Sequence, residues 1–243
     1  MKFVDIHCHL LPGIDDGAKD MQMALSMTQL AVLNGIERIV LTPHIQPGIY
    51  DNNLASIQSV FAKYQAAVVA EDIDVELGFA AEYHLTPDLL PAVEAQQVPY
   101  LGEVEGEKIL LLELPHTSVP AGALQLIRWL RANSIRPLIA HPERNQEIIR
   151  HPEKIRPLAS QGALFQLTAG SLTGAFGSKS RRSAQELLQA GLGHVIASDA
   201  HNLGRRSPEL LAGMQAAAGI VGESKAGDMV DATPRQLTAA LFV

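Results

Sequence analysis

Ile36-Glu37-Arg38-Ile39-Val40-Leu41-Thr42-Pro43-His44 combines a strand, a stop and a metal-ligand side chain in one short stretch. The β-branched run Ile36–Thr42 predicts a buried strand, and Pro43, which has no N–H to give to a ladder, ends it. His44 then falls just past the strand's carboxyl end. The same arrangement recurs upstream. Phe3–His7 reads as a buried strand that closes on His7-Cys8-His9. Residues i and i+2 of an extended chain point the same way, so both imidazoles can reach one ion while Cys8 turns away as a small buried hydrophobe. Asp15 and Asp16 follow in a glycine-bounded loop. Between the two strands, Ala18–Asn34 carries Met21, Ala24, Leu25, Thr28, Ala31 and Val32 on one helical face, and Gly35 stops it as a left-handed cap.

Downstream, strands are expected at Asp74–Ala81, Lys108–Leu114, Arg136–Ala140, Ala163–Leu167 and His194–Ser198. Helical periods fill Asn53–Glu71, Ala121–Asn133, Ser178–Ala190 and Pro208–Ala218, and a last helix opens at Thr233-Pro234. Seven strands alternating with helices imply parallel βα units with right-handed crossovers. The fold class is therefore α/β, as a seven-stranded barrel or an open doubly wound sheet. With 243 residues and no linker, repeat or low-complexity segment, one domain over 1–243 is expected.

Ligand-type residues fall where such folds place their active sites, at the carboxyl ends of the strands. Glu82 ends the third strand, Glu113 the fourth and His141 the fifth, and Asp199 and His201 end the last as a second i, i+2 pair. A single histidine or carboxylate at a strand end is usually structural. Repetition on six strands, with apolar residues filling the strands behind, argues for one common site. The imidazoles His7, His9, His44, His141 and His201, the carboxylates Glu82, Glu113 and Asp199, and the Asp15-Asp16 pair suit two or three borderline-to-hard divalent ions. Mn²⁺, Fe²⁺, Zn²⁺ and Mg²⁺ all fit a set that needs no thiolate. Ions so held activate water and bind phosphate oxygens. Arg144, three residues after His141, and Arg206, five after His201, offer guanidinium forks for the same oxygens. These residues predict a metal-dependent phosphoester hydrolase.

The net charge of −7 argues against a general nucleic-acid binder, because no basic excess neutralises phosphates. Cys8 is the only cysteine, which excludes an intrachain disulfide. The first five residues already carry charge, and no apolar run approaches the roughly 18–20 residues of a membrane span. A cytoplasmic protein with no membrane insertion is expected.

His7-Cys8-His9, Leu11-Pro12-Gly13-Ile14-Asp15-Asp16-Gly17, Thr42-Pro43-His44, Ala140-His141-Pro142-Glu143-Arg144 and Ser198-Asp199-Ala200-His201-Asn202 together resemble the polymerase-and-histidinol-phosphatase (PHP) superfamily. The chain looks closest to that superfamily's bacterial protein-tyrosine phosphatases of capsular and exopolysaccharide loci. The resemblance implies a distorted (β/α)₇ barrel and a trinuclear site, often manganese-dependent. It implies His7, His9, Glu82 and Asp199 on one metal. Glu82 would bridge to a second metal shared with Glu113 and His141, and Asp16, His44 and His201 would hold the third. It also implies phosphate binding by Arg144 and Arg206, and a phosphotyrosine substrate on the tyrosine-rich tail of a bacterial kinase. Some members carry E-E-x-x-x-R in the first helix, associated with ring-like oligomers. Here that helix reads Met21-Gln22-Met23-Ala24-Leu25-Ser26-Met27, so the ring motif is absent and the oligomeric state stays open. The alternative within the superfamily is a small-metabolite phosphatase of the histidinol-phosphatase type. His84, His116, His151 and His194 fall outside the ligand pattern and read as structural or solvated.

Overall fold

The computed structural model describes residues 2–242. Its strands are β1 (Phe3–Cys8), β2 (Ile36–Leu41), β3 (His44–Ile45), β4 (Glu76–Phe79), β5 (Glu82–His84), β6 (Gly102–Val104), β7 (Glu107–Glu113), β8 (Ile135–Ala140), β9 (Leu164–Thr168) and β10 (Val195–Ala197). They form two sheets, ordered β1-β2-β4 and β10-β9-β8-β7-β5-β3, and every pair in these orders is parallel. The exception to parallel pairing is β6, which makes an antiparallel hairpin with β7. Its tight turn needs left-handed backbone at Glu105 (φ 54°) and Gly106 (φ 79°). The α/β class expected from the sequence is observed, and this hairpin is an addition to it.

The second strand ends at Leu41, before Pro43 as expected, and a two-residue strand, β3, resumes at His44. One expected strand is interrupted. The third, expected to run unbroken over Asp74–Ala81 and to end at Glu82, stops at Phe79, and Glu82 instead opens β5. Pro43 has no N–H to continue the ladder, its carbonyl accepts from Glu82 N at 3.1 Å, and Ala81 N turns aside to the Pro99 carbonyl. The helix expected at Pro208–Ala218 runs from Leu211 to Val221, because the Pro208 carbonyl is taken by the Asn34 side chain at 2.8 Å. The first two helices match the centres of their expected faces. Met21–Leu33 buries Ala24, Thr28 and Ala31 as expected, and Met27 besides, while Met21, Leu25 and Val32 are half-buried. Leu54–Ala70 buries Ile57, Tyr64 and Val68, with Leu54 and Phe61 half-buried.

Strand parity aims the site. An inner apolar cluster contains Val4, Ile6, Val40, Ala80, Ile109, Leu111, Leu138 and Val195, while alternate residues such as Leu110, Leu112 and Ile139 pack outward under the helices. Two further steps along β7 from Ile109 and Leu111 lead to Glu113. An even spacing likewise leads from Val40 to His44, from Ala80 to Glu82 and from Val195 to Asp199. In β1 the parity changes. A register break between Asp5 and Cys8 leaves Ile6 in the inner cluster and Cys8 in the outer one, so His7 and His9 inherit the inward direction.

Gly213 shows how tightly the helices close over this end. A Cβ there would lie 2.6 Å from Ala169 Cα. Alanine gains about 1 kcal/mol of helix propensity over glycine, but backbone cannot yield to such a contact and overpacking costs about 1–3 kcal/mol. Gly213→Ala is expected to lower Tm by a few degrees in a thermal melt, and an unchanged or higher Tm would show that the helix Leu211–Val221 can move away from the helix Ala169–Thr173.

Candidate metal centre

All the ligand-type residues expected from the sequence converge on one volume. Pairing of His44 with Glu82 places β3 and β5 side by side at the site, and pairing of His84 with Glu113 brings in β7. His141 and Asp199 leave their strands with left-handed backbone, φ 31° and 51°, a conformation unusual for non-glycine residues and often held at functional sites. Here it is fixed by Asp199 N donating to the His7 carbonyl at 2.8 Å and Arg144 N to the His141 carbonyl at 3.0 Å.

Glu82 lies at the middle. Its Oε1 is 2.8 Å from His141 Nε2, and its Oε2 is 3.1 Å from both His7 Nε2 and His44 Nδ1 and 3.3 Å from His9 Nε2. Asp199 Oδ1 faces His7 and His9 at 3.5 and 3.4 Å. Asp16 Oδ1 joins His201 Nε2 at 3.2 Å and His44 Nε2 at 3.4 Å. Glu113 stands at 3.9 Å from both His44 and His141. Three overlapping groups have ligand atoms within 4.8 Å of one another: His9-Asp16-His44-His201, His7-His9-Glu82 and His44-Glu82-Glu113. His7, His9, Glu82 and Asp199 form a buried floor, and Asp16, 44% exposed, opens the site to solvent.

The residues around the cluster orient it. His7 Nδ1 donates to Gln166 Oε1 at 2.7 Å, His9 Nδ1 to Asp15 Oδ2 at 2.8 Å, and His201 Nδ1 to the Asp199 carbonyl at 3.0 Å. In each ring the remaining nitrogen is left for the interior, which is how metal-binding imidazoles are commonly set. Asp15 is thus an orienting carboxylate and Asp16 a lining one. The buried Asp5 accepts from Ser198 N at 3.0 Å and from Ser198 Oγ, and so ties the end of β10 to β1. Gly17 is required by contact: a Cβ there would lie 1.9 Å from the His9 carbonyl oxygen.

Burial alone would raise the Glu82 carboxyl, but the charges of His7, His44 and His141 outweigh it and hold it well below the usual carboxylate range. Asp199 is likewise held well below, with burial opposed by His7, His9, Arg144 and Arg206. Burial would lower His44, yet Glu82 pushes it up to about 10, whereas burial and the charge on His9 press His201 down to about 4. Four buried atoms, His44 Nδ1, Glu82 Oε2, Asp199 Oδ1 and His201 Nε2, have no hydrogen-bond partner among the described residues. Buried polar atoms are rarely left so, and this set of unpartnered imidazole nitrogens and carboxylate oxygens is the donor set that divalent ions take. The residues fit a metal cluster.

Arg144 and Arg206 both reach Asp199 Oδ2, Arg206 at 2.7 Å, so one carboxylate faces the imidazoles with one oxygen and holds both guanidiniums with the other. Sequence reasoning missed Phe176, whose ring lies 4.5 Å from the Arg144 guanidinium and 5.9 Å from that of Arg206. It also missed Gln166, and Tyr50, which stacks on His44 at 5.3 Å and 15°. His84, expected to be structural or solvated, donates from Nδ1 to Glu113 Oε2 at 2.9 Å, and its i, i+2 spacing from Glu82 could have suggested this particular partner. The other three stay apart from the site: His194 accepts from Phe165 N, His151 pairs loosely with Glu153, and His116 is exposed.

Comparison with known proteins agrees with this geometry. The model of the family described as capsular polysaccharide synthesis, CpsB/CapC, matches residues 3–238. Tyrosine-protein phosphatase YwqE of Bacillus subtilis (strain 168) is 36% identical over 204 residues, covering 84% of this chain and 79% of that protein. A crystal structure from work on YwqE of Bacillus subtilis and CpsB of Streptococcus pneumoniae, described as unique metal-dependent tyrosine phosphatases, aligns with a TM-score of 0.89 and 32% identity over 96% of this chain and 94% of that one. Histidinol phosphate phosphatase of Lactococcus lactis, solved with zinc, L-histidinol and phosphate, shares the fold alone, with a TM-score of 0.55 and 14% identity over 93% and 94% of the two chains. Family model, sequence identity and backbone agree, and the chain belongs to the CpsB/CapC family of capsular polysaccharide synthesis.

Proposed function

We propose that this chain is a metal-dependent protein-tyrosine phosphatase acting in capsular or exopolysaccharide synthesis. The observation that carries the reading is Asp199: it joins the buried imidazole cluster to a pair of arginines fit to hold a phosphoryl group, in a chain whose relatives are named tyrosine-protein phosphatases. His7, His9, Asp16, His44, Glu82, Glu113, His141, Asp199 and His201 are the ligands, for two or three ions with Mn²⁺ favoured. The fold is one domain over 1–243, a distorted seven-stranded barrel. Closure between β1 and β10 is supported by the Cys8–Ala200 bridge and by His9 N donating to the Ala200 carbonyl at 2.8 Å. The substrate is a phosphotyrosine protein, with the tail of a bacterial tyrosine kinase as partner, and the location is cytoplasmic. No helix among the described residues is long and apolar enough to cross a membrane.

Divalent ions bound there activate water and neutralise phosphate oxygens. The chain supplies the rest. Arg144 and Arg206, already turned toward one point by Asp199, grip two phosphoryl oxygens and stabilise charge that builds on them in flight. Tyr50 and Phe176 offer aromatic surfaces beside the site to the ring of the leaving tyrosine. A phenolate leaving group has a pKa of about 10 and departs without a dedicated acid.

The test uses metal-stripped protein with Mn²⁺ added back, on a phosphotyrosine peptide and on histidinol phosphate, with His141→Ala as control. Metal-dependent turnover of the peptide, lost in the variant, is expected, and hydrolysis confined to histidinol phosphate would overturn the substrate. A thermal melt reads the site without activity. At about a hundred times its dissociation constant each bound ion adds about 2.7 kcal/mol, roughly 5–10 °C in a domain of this size. A Tm unmoved by Mn²⁺, Fe²⁺, Zn²⁺ and Mg²⁺ would overturn the ligand set.

A further inference from the structure

The helix Ser178–Gln189 starts two residues after Phe176 and packs against both the turn Pro142–Arg144 and the helix Gln146–Arg150. Between it and residues 149–152 lies a hollow of about 490 Å³ whose charged lining is Arg150, Lys179 and Arg182 against the single acid Glu186. None of the three cations forms an ion pair among the described residues, whereas neighbouring Lys154 is taken by Glu147. Arg150 reaches only the neutral Gln146 side chain, at 3.0 Å. The chain as a whole carries 19 basic against 26 acidic residues, so this hollow reverses the sign of the molecule. Like charges gathered without partners repel one another, and such a field favours an anionic partner arriving from solution. The adjoining hollow, about 430 Å³, differs: Ile148, Ile155, Leu187 and Leu192 line it, and its one cation, Arg156, shares that lining with two acids, Glu153 and Glu186. The basic stretch is therefore confined to the end nearest Phe176 and Arg144.

Building on the phosphotyrosine reading above, we propose that this basic hollow docks an acidic segment of the protein substrate, a few residues from its phosphotyrosine. Arg150, Lys179 and Arg182, all exposed, meet the segment's carboxylates, and Ile149 and Pro152 line the same hollow. Solvent-exposed pairs are individually weak, so recognition is additive over the three cations, sensitive to salt, and absent for a substrate too small to reach beyond the phosphoryl site.

The experiment compares two phosphotyrosine peptides, one flanked on both sides by glutamates and one by glutamines, on the metal-loaded wild type and on the triple variant Arg150→Gln, Lys179→Gln, Arg182→Gln. Para-nitrophenyl phosphate serves as the small substrate. At low salt the wild type is expected to show a KM about fivefold to tenfold lower for the glutamate peptide. The triple variant is expected to lose that preference while its turnover of para-nitrophenyl phosphate is unchanged. Equal KM values in the wild type, or a preference that survives in the triple variant, would overturn the docking site. Should neither peptide be hydrolysed while para-nitrophenyl phosphate is, the phosphotyrosine reading fails on its own. Fluorescence anisotropy of a labelled, unphosphorylated glutamate-rich peptide then decides the hollow separately: binding lost in the triple variant supports it, and equal or absent binding overturns it.

Discussion

Glu82→Gln is expected to strip the protein of most of its metal and to abolish phosphatase activity while leaving the fold intact. Glutamine keeps the shape and volume of the side chain, so packing against the inner cluster survives. What changes is the chemistry of a single carboxylate that touches four imidazoles, His7, His9, His44 and His141, from inside a fully buried position. An amide presents one weaker acceptor and one donor where the cluster offers no place for a donor. Loss of a residue that merely orients a metal ligand costs about 10–100-fold in metal affinity. A carboxylate at the junction of two of the three ligand groups should cost more than that. Metal analysis after dialysis against Mn²⁺ and turnover of a phosphotyrosine peptide are the readouts, with circular dichroism to verify folding. A variant that keeps its full metal complement yet loses activity would remove Glu82 from the ligand set and make it a group that acts on substrate.

The sequence reveals this centre because strand parity is a local property. His7 and His9 are two residues apart, as are Asp199 and His201, and Glu113 follows Ile109 and Leu111 on the same side of one strand. Glu113 needs only the period of its own strand to be placed at the carboxyl end and on the inner face, whereas the i, i+2 spacing makes His7 and His9 share a side and the register break in β1 turns that side inward. Gln166 orients His7 across 159 residues of sequence, and Asp5 ties down Ser198 across 193. Neither carries a local signature, since a glutamine or an aspartate inside a strand looks like any buried polar residue until its partner is known. Phe176 is similarly silent: in Gly174-Ala175-Phe176-Gly177 nothing marks the ring as a platform for Arg144. The break of the third strand at Ala80-Ala81 escapes for the same reason, because it depends on the Pro99 carbonyl intercepting the Ala81 N–H from outside the strand. The β6–β7 hairpin hides in another way. Its Glu105-Gly106 turn is a short-range signal, but Gly102–Val104 is too short for alternation to show.

Arg144→Ala is expected to lower kcat/KM for every phosphomonoester by about 10²–10³, the usual cost of removing one preorganised donor from a developing oxyanion, with metal content unchanged. The separation follows from Asp199. Its Oδ2 holds Arg144 and Arg206, while its Oδ1 faces His7 and His9 at 3.5 and 3.4 Å. Truncating Arg144 empties one side of the carboxylate and leaves the side turned toward the imidazoles in place, still neutralised by Arg206. The competing role for Arg144 is to compensate the buried charge of Asp199 and nothing more. On that account any cation restores function, so Arg144→Lys should recover nearly full activity, and Arg144→Ala should disturb metal binding through Asp199. A phosphate clamp predicts the reverse. The lysine ammonium is a point charge that cannot span two oxygens or lie flat on the Phe176 ring as the guanidinium does at 4.5 Å. Arg144→Lys should then stay within about tenfold of the alanine variant, and both should bind Mn²⁺ like the wild type. Metal titration and kcat/KM across the two substitutions thus separate a residue that holds the phosphoryl group from one that only balances a charge.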